Sequence, residues 1–270
     1  MTTVAVIPAR YASTRFPGKV LAKDTGKYLV QHVYERVCES KRVDRVVVAT
    51  DDDRVVEAVT SFGGEVRLTR AGHRSGTDRV GEVAEAMDLD GNDLVLNVQG
   101  DEPEIGVEVL DRLIGAMSRR RHCPIGTAAT RFDDKGPTEG PGSPVDPNCV
   151  KVVVGADGRA LYFSRFPIPF LRRTGGAVDA PSRWLLHLGV YAFQADTLQA
   201  VTAGRIPPGV LEQAESLEQL RWLEHGFAVM VELVDSPFVG IDTPEDYAAF
   251  VARTARSKQG SRGGGPVVIC

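Results

Sequence analysis

Residues 4–19 read Val-Ala-Val-Ile-Pro-Ala-Arg-Tyr-Ala-Ser-Thr-Arg-Phe-Pro-Gly-Lys, a β-branched apolar run followed directly by a loop of small and basic residues. The apolar run is typical of a strand buried on both faces. The loop carries Arg10, Arg15 and Lys19 among residues small enough for backbone N–H groups to approach an anion. This stretch predicts an α/β sheet whose first loop binds a polyphosphate.

The loop differs from a Walker-type P-loop. Gly18-Lys19 is followed by Val20 where that motif has Ser or Thr, and no glycine stands five residues before Gly18. A solvated basic turn remains an alternative at this point, because clustered cations often only face water.

Apolar runs and helical patterns keep alternating through the first half of the chain. Further strands are predicted at residues 46–49, 66–68 and 94–98, and helices at residues 29–40, 55–62 and 77–87. Parallel strands present their following loops at one edge of the sheet, where ligands of open α/β sheets bind. Loops 8–19, 69–76 and 99–104 are therefore expected to converge.

The second half is less regular and predicts mixed strands that complete the sheet. Strands are predicted at residues 126–130, 150–154, 161–163, 188–193 and 228–233, and helices near residues 195–202, 214–225 and 244–256. We expect a single domain, 1–256, with an inserted substrate or dimerisation subdomain at about 131–210 and a flexible tail, 257–270. Residues 133–147 form a Pro/Gly-rich loop.

Composition places the chain among ordinary globular proteins, with 270 residues of which 43% are hydrophobic and 25% charged. The formal net charge of −4 argues against a general nucleic-acid-binding surface, so an anion must be bound by a local cluster of cations. The four cysteines are widely spaced, which predicts free thiols and neither a zinc site nor a disulfide framework. No leader-like start or spanning apolar run is visible, so a cytoplasmic location is expected.

Two carboxylates follow the fourth strand, in Gln99-Gly100-Asp101-Glu102. Magnesium prefers one or two protein carboxylates together with substrate phosphate oxygens, so Asp101 would need a second acidic partner. Asp242 is a candidate because it follows a strand-like stretch. Asp242-Thr243-Pro244-Glu245 is equally typical of a helix start, and the two interpretations stay open.

Two further polar segments have both a structural and a functional interpretation. The segment from Ser75 to Arg79 could touch a base or ribose, but a capped helix start is favoured. His187 and Tyr191 share a face of one predicted strand, where a lone histidine is more often packed than a ligand. The chain has no legible Ser-His-Asp or Cys-His signature, so covalent catalysis is not favoured.

Taken together, eight motifs in this order resemble the 3-deoxy-manno-octulosonate cytidylyltransferase (CMP-KDO synthetase) family over residues 4 to about 250. The opening Pro-Ala-Arg alone would also fit sialic-acid cytidylyltransferases, whereas Ser-Gly-Thr-x-Arg with Leu-Glu-Gln-Leu-Arg points to the KDO enzymes. The motifs occupy residues 8–19, 49–52, 75–79, 97–103, 162–165, 187–191, 217–221 and 242–246.

The resemblance implies a Rossmann-like nucleotidyltransferase fold, with a mixed, mostly parallel sheet flanked by helices, and usually a homodimer. It implies an enzyme that joins CTP and KDO into CMP-KDO and pyrophosphate for lipopolysaccharide assembly, with Mg2+ as cofactor. It also assigns roles by position. The triphosphate would be bound by Arg10, Arg15 and Lys19, the cytidine by Ser75, Arg79 and Gln99, magnesium by Asp101 and Asp242, and KDO by Arg165, His187, Tyr191, Glu218 and Gln219.

The chain departs from the family pattern in three places. Leu186 stands where many members carry arginine, Tyr28 replaces a common proline, and loop 133–147 is long. Leu186 leaves open a modified KDO or another sugar acid such as sialic acid. A catalytically inactive nucleotide-binding protein is the alternative from another class, although retention of Asp101 and Asp242 argues against it.

Overall fold

The structure is a computed structural model that describes residues 1–202, 204–235 and 240–260, with side chains through residue 257. It divides into two compact units, one of Met1–Asp111 with Phe238–Cys270 and one of Arg112–Pro237. The second unit is longer than the insertion expected at about 131–210. It begins within a helix and ends beyond the last strand, Val229–Leu233.

The first unit contains four parallel strands in the order β3-β2-β1-β4. All four strands of the predicted alternation are present, and β1 and β2 are buried almost along their whole lengths, as their continuous apolar sequences require. The strands are β1 (Thr3–Pro8), β2 (Arg45–Thr50), β3 (Val66–Leu68) and β4 (Leu94–Asn97).

Helices connect these strands and place the following loops at the carboxyl edge. The helix α4 (Val107–Arg119) was missed by the sequence interpretation, although its apolar face is well defined. The other early helices are α1 (Leu29–Cys38), α2 (Asp53–Ser61) and α3 (Gly76–Glu85).

The second unit contains a mixed sheet. Strand β5 (Ile125–Arg131) pairs antiparallel with β8 (Leu185–Gln194) and parallel with β9 (Val229–Leu233). Strands β6 (Lys151–Val154) and β7 (Ala160–Ser164) form an antiparallel pair, and β6 also reaches β8. The mixed, mostly parallel architecture expected from the sequence is confirmed by the structural comparisons reported below.

A bulge interrupts the pairing of β5 with β8. Thr127 pairs with Tyr191, but the next residue, Ala128, pairs with Leu188, so Gly189 and Val190 are extra residues on β8. Such a bulge bends its strand and redirects the neighbouring side chains.

Two helix boundaries differ from the sequence prediction. The helix expected at 214–225 is two short helices, α6 (Val210–Glu215) and α7 (Glu218–Glu224), because Ser216 between them has a left-handed backbone with φ of 52°. They follow α5 (Ala195–Val201), and the final helix, α8 (Pro244–Gly260), runs beyond Arg256 into the expected tail. Residues 261–270 of that tail lie outside the described residues.

The expectation of four free thiols holds for Cys123 and Cys149. It is wrong for Cys38, which is disulfide-bonded. Cys270 lies outside the described residues.

Candidate active site

A cavity of about 260 Å³ opens at the carboxyl edge of the first unit's sheet. The three loops expected to converge all contribute to its wall, the first most heavily. The charged and polar residues lining it are Arg10, Ser13, Thr14, Arg15, Lys19, Gln99, Asp101 and Asp242. Residues distant in sequence therefore share one wall.

The first loop is folded back on itself at Gly18. Gly18 has a left-handed φ of 70°, and its N–H donates to the carbonyl of Tyr11 at 2.9 Å. A Cβ at this position would lie 3.1 Å from the Tyr11 ring, so glycine is needed both for conformation and for space. The turn delivers Lys19, the next residue, to the cavity floor.

Lys19 joins the two predicted metal ligands. Its Nζ donates to Asp101 Oδ2 at 2.5 Å and to Asp242 Oδ1 at 3.2 Å. The carbonyl of Ile241 takes a third bond at 2.9 Å, and the lysine side chain is only 11% exposed. All three N–H donors of the ammonium group thus have acceptors. The basic-turn alternative for this residue is wrong.

Asp242 is also contacted by Arg15 across 3.0 Å, so one carboxylate faces two cations. The helix start is formed at the same place by a different carboxylate, because Asp246 accepts from the N–H groups of Asp242 and Thr243. The Asp242 side chain therefore does not accept these helix-start N–H groups. The helix-start interpretation is confirmed, because the Thr243 hydroxyl accepts from the N–H of Asp246 at 3.2 Å. Asp242 lines the cavity, and its role as a metal ligand stays a prediction.

Glu102 lies behind this cluster with its side chain buried. Burial, followed by the neighbouring charges of Asp101 and Asp242, raises the pKa of Glu102 well above its ordinary value. The buried carboxyl is therefore held towards its neutral form.

The residues expected at the cytidine are only partly brought together. Gln99 lines the cavity and donates to Asn97 Oδ1 at 3.1 Å. Ser75 caps α3 by accepting from the N–H of Asp78 at 3.0 Å, as the capped-start interpretation predicted.

Arg10, which is expected at the triphosphate, also lines the cavity. Its guanidinium donates to the carbonyl of His73 at 3.0 Å.

Arg79 does not line the cavity. Its side chain is completely buried, lies 2.9 Å from Asp51 and donates to the hydroxyl of Thr69. The guanidinium therefore ties the ends of β2 and β3 to helix α3. From this position Arg79 supports the loops around the site through Asp51 and Thr69.

In the second unit the bulge on β8 brings His187 and Tyr191 together. Their ring centroids are 5.4 Å apart, and His187 also meets the edge of Phe163 at 5.0 Å. Burial lowers the pKa of His187 to about 3, so its imidazole is neutral at neutral pH.

Thr127 fixes the orientation of that imidazole. Its hydroxyl lies 2.8 Å from the carbonyl of Val190 and 3.0 Å from Nε2 of His187. A hydroxyl has one proton, and the carbonyl can only accept. The arrangement therefore assigns the histidine proton to Nε2, which donates to Thr127.

Helix α7 carries the other two residues expected at the sugar. Glu218 pairs with the buried Arg221 at 2.9 Å, and Arg221 lies 3.1 Å from Glu212. Gln219 is buried on the same helix. Trp222 meets the edge of Tyr191 at 5.0 Å, which links this helix to the histidine–tyrosine pair.

Arg165 follows β7 and is held by three backbone carbonyls. Its Nε donates to Glu215 at 2.7 Å, one terminal nitrogen to Pro147 at 2.8 Å and the other to Ser216 at 3.2 Å. A guanidinium has five N–H groups, so one remains on each terminal nitrogen beyond these bonds.

Most of the chain matches a known protein family. The profile described as Cytidylyltransferase matches residues 4–233, most of the chain. The chain belongs to the cytidylyltransferase family. It is accordingly a nucleotidyltransferase.

Named cytidylyltransferases match along nearly the whole chain. A 3-deoxy-manno-octulosonate cytidylyltransferase of Syntrophobacter fumaroxidans is 49% identical over 97% of this chain and 100% of its own length. The enzyme of the same name from Syntrophotalea carbinolica is 46% identical over 91% of this chain and 96% of its own.

A solved structure of CMP:2-keto-3-deoxy-manno-octonic acid synthetase complexed with CTP superposes with a TM-score of 0.85. It is 39% identical and covers 95% of this chain and 100% of that one. A more distant cytidylyltransferase, from Leptospira borgpetersenii, has a TM-score of 0.59 at 17% identity and shares the fold. The nucleotidyltransferase fold expected from the sequence is confirmed.

The donor set of this cytidylyltransferase fits a divalent cation. Asp101 and Asp242 present oxygens to one positive charge, the Lys19 ammonium, so the position is already one where a cation is stable. Hard cations such as Mg2+ take carboxylate and phosphate oxygens. No group of three or more potential ligands occurs in the described part of the chain, so the remaining ligands would come from water and phosphate.

Sequence reasoning missed the residues that support the site. Thr127, Lys151 and Glu215 contact predicted site residues but stand in none of the eight motifs. Arg221 ends the motif 217–221 and pairs with Glu218, but the sequence assigned it no role. One signal was available, because Lys151 interrupts the apolar run Val150 to Val154. A charge inside such a run calls for a partner.

Within the described residues, no helix is both long and apolar enough to cross a bilayer.

Proposed function

We propose that this cytidylyltransferase transfers the cytidylyl group of CTP to 3-deoxy-D-manno-octulosonate, giving CMP-KDO and pyrophosphate. The observation that carries the proposal is the convergence of Lys19 with Asp101 and Asp242 on the floor of the loop-lined cavity. The names of the similar full-length enzymes supply the substrates.

In this reaction the anomeric hydroxyl oxygen of the sugar acid bonds to the α-phosphorus of CTP. The bond from that phosphorus to the bridging oxygen of the β-phosphate breaks, the electron pair leaves with pyrophosphate, and the hydroxyl proton passes to solvent. Such chemistry depends on positioning and charge neutralisation, so no protein nucleophile is required. Arg10, Arg15 and Lys19 are suited to offset the charge of the departing pyrophosphate.

Asp101 and Asp242 would hold Mg2+, which supplies charge neutralisation at the phosphate oxygens when bound. An Asp101→Asn variant is expected to lose about 10²-fold in turnover. It should also bind Mn2+ plus CTP more weakly, as measured by electron paramagnetic resonance. Wild-type turnover of Asp101→Asn at saturating magnesium would exclude this ligand assignment.

For the second unit, we propose that it recognises the sugar acid. Arg165 retains one N–H on each terminal nitrogen, which suits the two oxygens of a carboxylate. His187 as a neutral imidazole, Tyr191, Glu218 and Gln219 offer groups for the sugar hydroxyls. Ser75, Arg79 and Gln99 remain the proposed supports of the cytidine, with Arg79 acting through the loops that it anchors.

A pyrophosphate-release assay tests the function. Purified protein is incubated with CTP, Mg2+ and, separately, KDO, a modified KDO and sialic acid. Release with KDO at the highest kcat/KM is expected. Preference for sialic acid would favour the alternative substrate, whereas CTP binding without release on any sugar acid would support an inactive nucleotide-binding protein.

A homodimer, a cytoplasmic location and a role in lipopolysaccharide assembly belong to the same proposal. They follow the family resemblance, and sedimentation of the purified protein at micromolar concentration tests the oligomeric state. A monomer under assay conditions, with full activity, would remove the dimer from the proposal.

A further inference from the structure

Strand β6 of the second unit begins with a lysine that is fully buried. Lys151 has no solvent-exposed surface, although a charged or amine group removed from water is unfavourable unless it finds polar partners. The charges of the Asp146 and Glu215 carboxylates act to raise the pKa of Lys151, but burial outweighs them. Its presence in the run Val150 to Val154 therefore needs a specific explanation.

Two backbone carbonyls supply the partners. The Lys151 Nζ donates to the carbonyl of Asp146 at 2.9 Å and to the carbonyl of Arg165 at 2.5 Å. Burial lowers the pKa of Lys151 to about 8. A neutral amine still has two N–H groups, one for each carbonyl, so both bonds are available on either side of that pH.

The two carbonyls belong to the same support that holds the Arg165 side chain. Asp146 precedes Pro147, whose carbonyl accepts from the guanidinium at 2.8 Å. The Glu215 carboxylate also holds this segment. It accepts from the backbone N–H of Arg165 at 2.9 Å and from the hydroxyl of Ser164 at 2.6 Å. Lys151 thus connects the main chain of Arg165 to the turn that its side chain contacts.

We propose that Lys151 is a positioning residue that fixes the direction in which Arg165 presents its two remaining N–H groups to the carboxylate of the sugar acid. The inference rests on the proposed function of Arg165. Bidentate binding of a carboxylate needs the guanidinium plane in one orientation. Three carbonyls hold that plane, and Lys151 holds the turn that supplies one of them.

The test is a kinetic comparison of Lys151→Met with Lys135→Met, a control at an exposed position of the same unit. In Lys151→Met, the KM for KDO should rise about tenfold, a loss within the range of one hydrogen bond to a charged group. The KM for CTP and kcat should stay within about twofold of wild type, since only uniform binding of the sugar acid is lost. An unchanged KM for KDO, or an equal rise in both KM values, would overturn the proposal.

A double-mutant cycle separates positioning from general support. If Lys151 acts through Arg165, the Lys151→Met/Arg165→Ala double variant should have the KM for KDO of Arg165→Ala alone. Multiplied effects of the two changes would overturn the inference. If Lys151→Met does not fold, Lys151→Gln, which keeps amide donors, is measured by the same criteria.

A wild-type protein that releases no pyrophosphate with any sugar acid would refute the proposed function and this inference with it. An active wild type with an unaffected Lys151→Met would refute the inference alone.

Discussion

At the scale of single residues, the candidate site depends on where Lys19 lies. The turn at Gly18 places its ammonium between Asp101 and Asp242, two aspartates that are 82 and 223 residues away in sequence. An ammonium between two carboxylates offsets their mutual repulsion, and little water reaches this lysine. The same group is suited to meet the phosphates of a bound nucleotide.

Lys19→Met is expected to lower kcat/KM for CTP by about 10²-fold or more, because a donor that stabilises developing charge is removed. Pyrophosphate release at varied CTP gives this value, with Lys41→Met, at an exposed position, as the control. Near wild-type kcat/KM in a folded Lys19→Met protein would show that Lys19 serves stability alone.

At the scale of elements, the bulge on β8 decides what the second unit can present. In a regular strand, residues four apart are separated by about 13 Å, at about 3.3 Å per residue. The two extra residues shorten this separation, so the rings of His187 and Tyr191 come within 5.4 Å of each other. A strand without the bulge would keep both side chains on one face but leave them out of contact.

The buried ion pair between Arg79 and Asp51 gives a prediction about the junction of β2 and α3. Asp51→Leu leaves the guanidinium without its charge partner and should lower the free energy of unfolding by about 3 kcal/mol. Urea denaturation measures the change. Asp53→Leu, at an exposed position two residues on, is the control and should change it much less. Equal effects of the two substitutions would contradict the argument.

The sequence was most informative about the first unit, where the spacing of apolar residues and the sequence motifs predict the same architecture. The β-branched runs predicted β1, β2, β3 and β4, because a strand buried on both faces has an unbroken apolar sequence. Residues from three loops could be assigned to one site, because parallel strands end at one edge. The cap at Ser75 could be predicted because it is a local feature of the helix start. The burial of the Arg79 guanidinium could not be predicted, since it depends on tertiary packing.

The second unit was harder to read from sequence for physical reasons. The break between α6 and α7 depends on the left-handed backbone of Ser216. The spacing of apolar residues does not reveal such a backbone conformation. The bulge at Gly189 and Val190 shifts pairing without altering the apolar alternation. The partners of Arg165 are backbone carbonyls, which have no sequence signal at all. His187, Tyr191, Glu218 and Gln219 stay predictions for the sugar acid.

At the scale of the whole molecule, an acidic protein binds a polyanion through a small basic cluster. The chain carries a formal net charge of −4, whereas three cations stand in the loop of residues 8–19. Long-range attraction of nucleotides by the overall charge is therefore absent, and binding depends on local contacts. Those contacts should stabilise the folded protein when they form.

CTP with Mg2+ is expected to raise the melting temperature. A ligand that binds only the folded state at 100 times its Kd adds about 2.7 kcal/mol of stability. Differential scanning fluorimetry with CTP and, as control, UTP measures the shift. No shift with CTP at millimolar concentration would argue against the nucleotide site.

The lowered pKa of His187 makes the stability of the protein depend on pH in the acid range. The pKa of His187 is about 3 in the folded protein and has an ordinary value of 6.5. Between these two pH values the unfolded chain binds a proton at His187 and the folded protein does not. Stability should therefore fall as the pH drops from 6.5 towards 3. Urea unfolding at several pH values should show a shallower fall in His187→Gln than in wild type or in His122→Gln. Identical slopes in all three would contradict the assignment.

The ammonium of Lys19 already places a positive charge between the Asp101 and Asp242 carboxylates. The Lys19 ammonium offsets part of the repulsion between Asp101 and Asp242 when no metal is bound. An incoming divalent ion must compete with that lysine for the same oxygens, which weakens its binding to the bare protein. A bound triphosphate would reduce this competition, because its oxygens can accept from the Lys19 ammonium and also bind the divalent ion. If the two aspartates hold Mg2+ as proposed, we expect the metal to bind more tightly together with the nucleotide than alone.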